Sequence, residues 1–103
     1  MIIKYGLSEN VQRVIRSVFE KQPKVEKAIL YGSRAIGNYK NGSDIDLMLE
    51  GDQLRLEDLL SIMVQLDNLD LPYKFDISDR KSIQNDALLD HIERVGTIFY
   101  SKV

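Results

Sequence analysis

The strongest constraint on the fold is an alternation of helical stripes and short apolar runs along the chain. Apolar residues recur at helical spacing in three segments, which follow Ser8, precede Pro72 and precede Gly96. Between these segments lie short runs typical of buried strands, at residues 28–31, 44–49, 73–78 and 97–100. Neither kind of element can bury its apolar face alone, so this order predicts an α/β layered domain.

The three helical segments carry start and stop signals. Ser8 is expected to cap the first helix, and Ser82 is expected to cap the third, which Gly96 ends. The second runs from Leu56 to Leu66. Its apolar stripe is interpreted as core first, and as an oligomer face only second.

Composition excludes several classes of protein. The 103 residues suit one domain spanning 1–103, and the absence of cysteine excludes disulfides, thiolate zinc sites and cysteine nucleophiles. The one histidine, His91, falls on the stripe of the third helix and is interpreted as a boundary or core residue. A net charge of −2 without a basic run argues against general nucleic-acid binding. No segment approaches membrane-spanning length, so we expect a cytoplasmic protein without membrane contact.

Two aspartates open the second strand. Asp44 and Asp46 are separated by one residue, and because side chains alternate along a strand, their carboxylates project from the same face. Like charges this close repel each other unless a cation lies between them. Oxygen ligands without nearby histidine or cysteine suit a hard ion, Mg²⁺ or Mn²⁺, which also holds substrate phosphates. The alternative is a solvated turn before a strand.

A third carboxylate, Asp76, lies inside a later apolar strand, between Phe75 and Ile77. A carboxylate buried there without a partner would be costly. If this strand neighbours the Asp44 strand, all three carboxylates can meet and hold two ions about 3.5–4 Å apart for phosphoryl or nucleotidyl transfer. Asp76 can then also receive the proton of the attacking hydroxyl. The alternative is an edge-strand residue that faces water.

A Gly-Ser pair follows the first strand directly. Gly32 lets the backbone approach a phosphate, and the following amides and the Ser33 hydroxyl can donate to its oxygens. Arg34 adds a fixed positive charge beside this cradle, the alternative being a solvated loop charge. Lys40 is a weaker candidate for the triphosphate tail. The whole segment from Gly32 to Ser43 is expected to be a loop.

The Gly-Ser pair and the two aspartates together resemble the signature of a known family. The segments Tyr31–Ala35 and Ser43–Leu47, with ten residues between Ser33 and Asp44, are similar to the signature of the polymerase-β-type nucleotidyltransferases, and within them to the minimal nucleotidyltransferase (MNT) group. The resemblance implies a small mixed β-sheet backed by helices. It also implies that the two motif aspartates and the later strand carboxylate bind Mg²⁺, while the Gly-Ser turn holds the NTP phosphates. One position departs from the pattern, because many MNT proteins carry a second basic residue where this chain has Ile36.

The resemblance also implies a partner. Prokaryotic MNT proteins of this size often pair with a small helical HEPN protein and act as antitoxins, in some cases by transferring AMP to a tyrosine of that protein. We therefore predict a metal-dependent enzyme that transfers a nucleoside monophosphate, AMP from ATP foremost, to a hydroxyl. The small size predicts that a partner or a homodimer completes the acceptor site. The alternative is a non-catalytic, nucleotide-binding subunit that neutralises a helical partner by binding alone.

Overall fold

The first described residues form a short antiparallel hairpin. The structure is a computed structural model that describes residues 3–102, and its strand β1 (Ile3–Lys4) pairs with β2 (Leu7–Ser8). Ser8 then caps α1 (Glu9–Glu20), because its hydroxyl accepts a hydrogen bond of 3.2 Å from an amide three residues later. The predicted helix and its cap are confirmed. The hairpin has no counterpart among the sequence predictions.

A four-stranded sheet follows. Its members are β3 (Lys27–Tyr31), β4 (Ile45–Glu50), β5 (Phe75–Asp79) and β6 (Thr97–Ser101). They lie in the spatial order β5-β4-β3-β6, with β4 and β5 parallel and β3 antiparallel to both β4 and β6. The predicted strands are confirmed, and so is the mixed sheet that the resemblance implies.

Three further helices connect the strands. They are α2 (Ser33–Ile36) after β3, α3 (Leu56–Asp67) between β4 and β5, and α4 (Asp86–Val95) before β6. Helices α1 and α3 contribute to the main apolar core on one face of the sheet, whereas α4 packs over a smaller apolar cluster on the other face. Among residues 3–102, no helix is both long and apolar enough to cross a bilayer.

Alternation along β4 sorts its side chains between the two faces. Ile45, Leu47 and Leu49 are fully buried in the main core, while Met48 belongs to the cluster under α4. Asp46 therefore projects on the α4 side of the sheet. The later part of the strand, Leu47–Leu49, is buried, whereas Asp44 and Asp46 at its start lie at or near the surface.

One predicted loop and one predicted helix cap were wrong. The segment from Gly32 to Ser43 is not loop throughout, because Ser33–Ile36 forms one helical turn. Ser82 does not cap α4, since it ends a short 3₁₀ turn that starts after Asp79, whose carboxylate accepts a 3.0 Å hydrogen bond from a turn amide. Asn85 is the cap of α4 instead, through a hydrogen bond of 3.1 Å.

The predicted core stripe of α3 is largely wrong. Of its six residues only Leu59 and Leu66 are buried in the main core, together with Ile62, which the predicted stripe left out. The other four are exposed, to between 39% and 71%: Leu56, Leu60, Met63 and Val64. The helix is apolar on more than one face, so sequence spacing alone cannot identify the buried side. The single domain over residues 1–103 stays a prediction, and residues 1, 2 and 103 lie outside the described part.

Candidate active site

Strand register brings two of the predicted carboxylates together. Asp46 on β4 and Asp76 on β5 occupy directly paired positions of parallel strands. Neighbouring strands lie about 4.8 Å apart, so the two side chains leave the sheet side by side. Asp46 is partly buried, whereas Asp76 is exposed on an edge strand. The two predicted strands are thus neighbours, and the edge position considered for Asp76 is also correct.

Asp44 lies one residue before β4 and is exposed. Burial first of all, and then the negative charges of Asp76 and Asp44, raise the pKa of Asp46, while His91 opposes these effects. The three carboxylates therefore concentrate negative charge at one end of the sheet. Within the described residues 3–102, no group of three or more histidine, aspartate or glutamate side chains is placed so that it could hold a metal ion, so the structure does not bring all three carboxylates together as ligands. The ligand roles of Asp44, Asp46 and Asp76 stay predictions.

Gly32 is the residue that lets the chain turn directly over Asp46. It has a positive φ of 75°, and a Cβ at this position would lie 2.3 Å from Oδ2 of Asp46. No L-amino acid with a side chain fits there without displacing the carboxylate. The turn therefore starts α2 beside Asp46, and it places Gly32 and Ser33 next to the carboxylates. Their contact with a nucleotide stays a prediction.

Arg34 lies inside the structure rather than at the cradle surface. Its side chain is among the most buried of the chain, with only 2% of the residue exposed, so the solvated-charge alternative is wrong. The Nε atom donates to the carbonyl of Ser43 at 3.0 Å, Nη1 to that of Tyr5 at 2.8 Å, and Nη2 to that of Asn41 at 3.3 Å. The guanidinium is thus buried and holds backbone carbonyls. The phosphate contact of Arg34 stays a prediction.

No lysine or arginine of the described residues 3–102 is among the groups that shift the pKa of Asp46. Ile36, at the position where many MNT proteins are basic, is 53% exposed and offers no donor. The side chain of Lys40 is exposed, while its backbone amide donates to Ser43 Oγ at 2.8 Å within the loop. Of the nearby groups that influence Asp46, His91 is the one that lowers its pKa. A phosphate held at the predicted cradle would therefore depend mainly on backbone amides and hydroxyl groups.

Sequence reasoning missed two neighbours of the site. Tyr31 pairs with Asp46 across β3 and β4, and its ring meets His91 of α4 edge-on, with centroids 6.2 Å apart. Burial above all, and then the charges of Asp76 and Asp46, raise the pKa of Tyr31, so its phenol stays protonated at neutral pH. Tyr31 immediately precedes Gly32, which is a usable signal. Nothing in the spacing of α4 reveals that His91 reaches the carboxylate face.

Membership of a protein family rests on most of the chain and not on the motif alone. Residues 13–103 match the family described as polymerase beta, nucleotidyltransferase. The chain therefore belongs to that family. No curated protein matches its sequence significantly.

Solved structures agree on the fold. A toxin–antitoxin structure with AMP-PNP has a TM-score of 0.71 at 21% identity, covering 88% of this chain and 73% of that chain. The structure of a tri-AMPylated HEPN toxin from Shewanella oneidensis in complex with an MNT antitoxin has a TM-score of 0.59 at 18% identity, covering 88% of this chain and 73% of that chain. An MntA–HepT toxin–antitoxin structure has a TM-score of 0.62 at 18% identity, covering 88% of this chain and 70% of that chain. This chain is thus a nucleotidyltransferase-type domain similar in fold to the MNT antitoxins of toxin–antitoxin pairs.

Proposed function

We propose that this protein is a metal-dependent nucleotidyltransferase that transfers AMP from ATP to a hydroxyl group, and that the acceptor is a tyrosine of a HEPN-type toxin, so that the protein acts as an antitoxin. The observation that carries this proposal is the pairing of Asp46 with Asp76 beneath Gly32, whose missing Cβ makes room for the Asp46 carboxylate. Family membership and the fold shared with MNT antitoxins support it. The cytoplasmic location and the homodimer stay predictions.

The carboxylates suit the divalent ion that such an enzyme needs. Asp44, Asp46 and Asp76 offer only oxygen donors, which Mg²⁺ and Mn²⁺ prefer. Their mutual repulsion, which contributes to the raised pKa of Asp46, is relieved when a cation binds. When bound, the ion neutralises negative charge on the phosphates of the nucleotide.

The residues of the chain supply binding and proton transfer. Amides of the Gly32 turn and the Ser33 hydroxyl donate to phosphate oxygens of the nucleotide. The acceptor oxygen attacks the α-phosphorus in line; the new O–P bond forms as the bond to the bridging β-phosphate oxygen breaks, and pyrophosphate leaves. Asp76 takes the proton of the acceptor hydroxyl. Its exposure on edge strand β5 lets a group from another protein reach it.

The test is label transfer from ATP labelled at the α-phosphorus to a co-purified HEPN-type toxin in the presence of Mg²⁺. Asp46→Asn should abolish labelling while the protein keeps its folded circular dichroism spectrum. Asp90→Asn is the matched control, because the Asp90 side chain is exposed on α4 and forms an ion pair with Arg94, at 2.9 Å. Labelling that persists with Asp46→Asn would overturn the proposal.

A second candidate is a non-catalytic antitoxin that neutralises its partner by binding. It is favoured by two observations: Arg34 is buried, and Ile36 is exposed at a position where many MNT proteins carry a basic residue. The two candidates differ in their prediction for Asp44→Ala. Full neutralisation of the toxin by that variant in a growth assay supports binding alone, whereas loss of neutralisation with retained co-purification supports catalysis.

A further inference from the structure

Arg34 joins parts of the chain that are far apart in sequence. Its guanidinium donates to the hairpin turn through the carbonyl of Tyr5 and to the loop before β4 through those of Asn41 and Ser43. The guanidinium carbon also lies 5.3 Å from the ring centroid of Tyr39 and 5.0 Å from that of Tyr73. One buried cation therefore contacts the N-terminal hairpin, the loop that leads to Asp44 and the segment that leads to Asp76.

The hairpin turn is shaped to fit this cation. Tyr5 and Gly6 have positive φ angles of 60° and 72°. A Cβ at Gly6 would lie 2.4 Å from Cε2 of Tyr39 and 2.8 Å from Nη1 of Arg34. The turn thus packs against Arg34 and Tyr39 with no space for a side chain. The hairpin, at residues 3–8, lies outside the family-matched segment 13–103.

We propose that the hairpin of residues 3–8 and Arg34 form a clamp that fixes the loop of residues 37–44 and, through it, the position of Asp44. The Ser43 carbonyl that Arg34 holds belongs to the peptide group joined to Asp44, so the hydrogen bond sets the direction in which the chain enters β4. A buried guanidinium leaves a large desolvation penalty uncompensated if these carbonyls move away. Arg34 is a positioning residue, and the consequence for metal binding rests on the proposed function.

Arginine is required for this role because of its shape. Its planar guanidinium can lie against the rings of Tyr39 and Tyr73 while its N–H groups donate in fixed directions within the plane. The ammonium of a lysine is a point charge that cannot reach the three carbonyls together. Arg34→Lys keeps the positive charge and should still release the loop, which separates a clamp from simple charge compensation.

The experiment measures loop order and Mn²⁺ affinity in Gly6→Ala and Arg34→Lys. Amide hydrogen exchange by NMR reports on residues 38–44, and paramagnetic broadening of the Asp44 and Asp46 amides by Mn²⁺ gives the affinity. We expect faster exchange in the loop with unchanged exchange in β3. We also expect a Mn²⁺ affinity lower by about tenfold, the lower end of the effect of losing groups that orient metal ligands.

Two controls separate the clamp from general damage. Gly42→Ala changes the same loop at a position where a Cβ meets nothing within 4 Å, and it should leave exchange and affinity unchanged. Val18→Ala opens the core under α1 and should lower stability without changing Mn²⁺ affinity. Unchanged loop exchange in both clamp variants would overturn the clamp. Absence of Mn²⁺ binding by the wild type would count against the proposed function alone, because the exchange measurement still decides on the clamp.

Discussion

Replacing Asp46 by asparagine should remove catalysis and at the same time stabilise the fold. The pKa of Asp46 is raised in the folded state by burial and by the charges of Asp76 and Asp44, so its ionised form costs free energy there. Asparagine keeps the size of the side chain and removes the charge. The variant should therefore be more stable than the wild type when no divalent ion is present.

The magnitude follows from the paired positions of Asp46 and Asp76. Two unit charges at the strand spacing of about 4.8 Å repel by about 0.9 kcal/mol in bulk water and about 3.5 kcal/mol at an effective dielectric constant of 20. Because Asp76 is exposed, solvent screening reduces the repulsion towards the lower figure, and we expect about 1 kcal/mol. For a domain of this length, that corresponds to a rise in Tm of about 4–8 °C.

The assay is thermal unfolding of both proteins in EDTA across a range of pH. A carboxyl group whose pKa is raised on folding destabilises the native state only once it ionises, so the advantage of Asp46→Asn should appear as pH rises through the titration range of Asp46 and vanish at about pH 3. MnCl₂ should then raise the Tm of the wild type more than that of the variant. An equal or lower Tm for the variant at about pH 7, or a gain that persists in acid, would refute the electrostatic reasoning.

Three further changes test other parts of the structure. Gly32→Ala should lower stability by about 1–3 kcal/mol, because its φ of 75° and ψ of −158° suit glycine almost alone. It should also weaken Mn²⁺ binding in calorimetry, because the new Cβ displaces the Asp46 carboxylate; unchanged binding would contradict the geometry of the turn. Asn85→Ala should cost about 1 kcal/mol in urea unfolding by removing the cap of α4, and no loss would mean that another group caps this helix. Ile62→Ala should cost about 2–5 kcal/mol and exposed Leu60→Ala less than about 0.5 kcal/mol, and the reverse order would show that the opposite face of α3 is buried.

Local patterns along the chain were sufficient for most of the fold. Helical spacing with the Ser8 cap predicted α1, and short apolar runs predicted the four sheet strands to within about two residues. The predictions failed at two places. The Asp79 carboxylate accepts a hydrogen bond from the amide of Lys81, residues 80–82 form a 3₁₀ turn, and Asn85 rather than Ser82 caps α4. The exposed part of the α3 stripe could not be recognised either, because this helix is apolar on more than one face.

The candidate site likewise combines features that local sequence determines with features that tertiary contacts determine. The spacing of Asp44 and Asp46 after a Gly-Ser turn is a local property. The sequence by itself therefore determined which carboxylates lie at the start of β4 and which family they indicate. Two further features depend on contacts between distant segments: the register that sets Asp76 beside Asp46, and the packing of the hairpin that buries Arg34. A pattern of residue types carries no information on which strand becomes a neighbour or which charge becomes enclosed. Tertiary packing alone decided that Arg34, which directly follows the Gly-Ser pair, is buried and donates hydrogen bonds to the loop of residues 37–44.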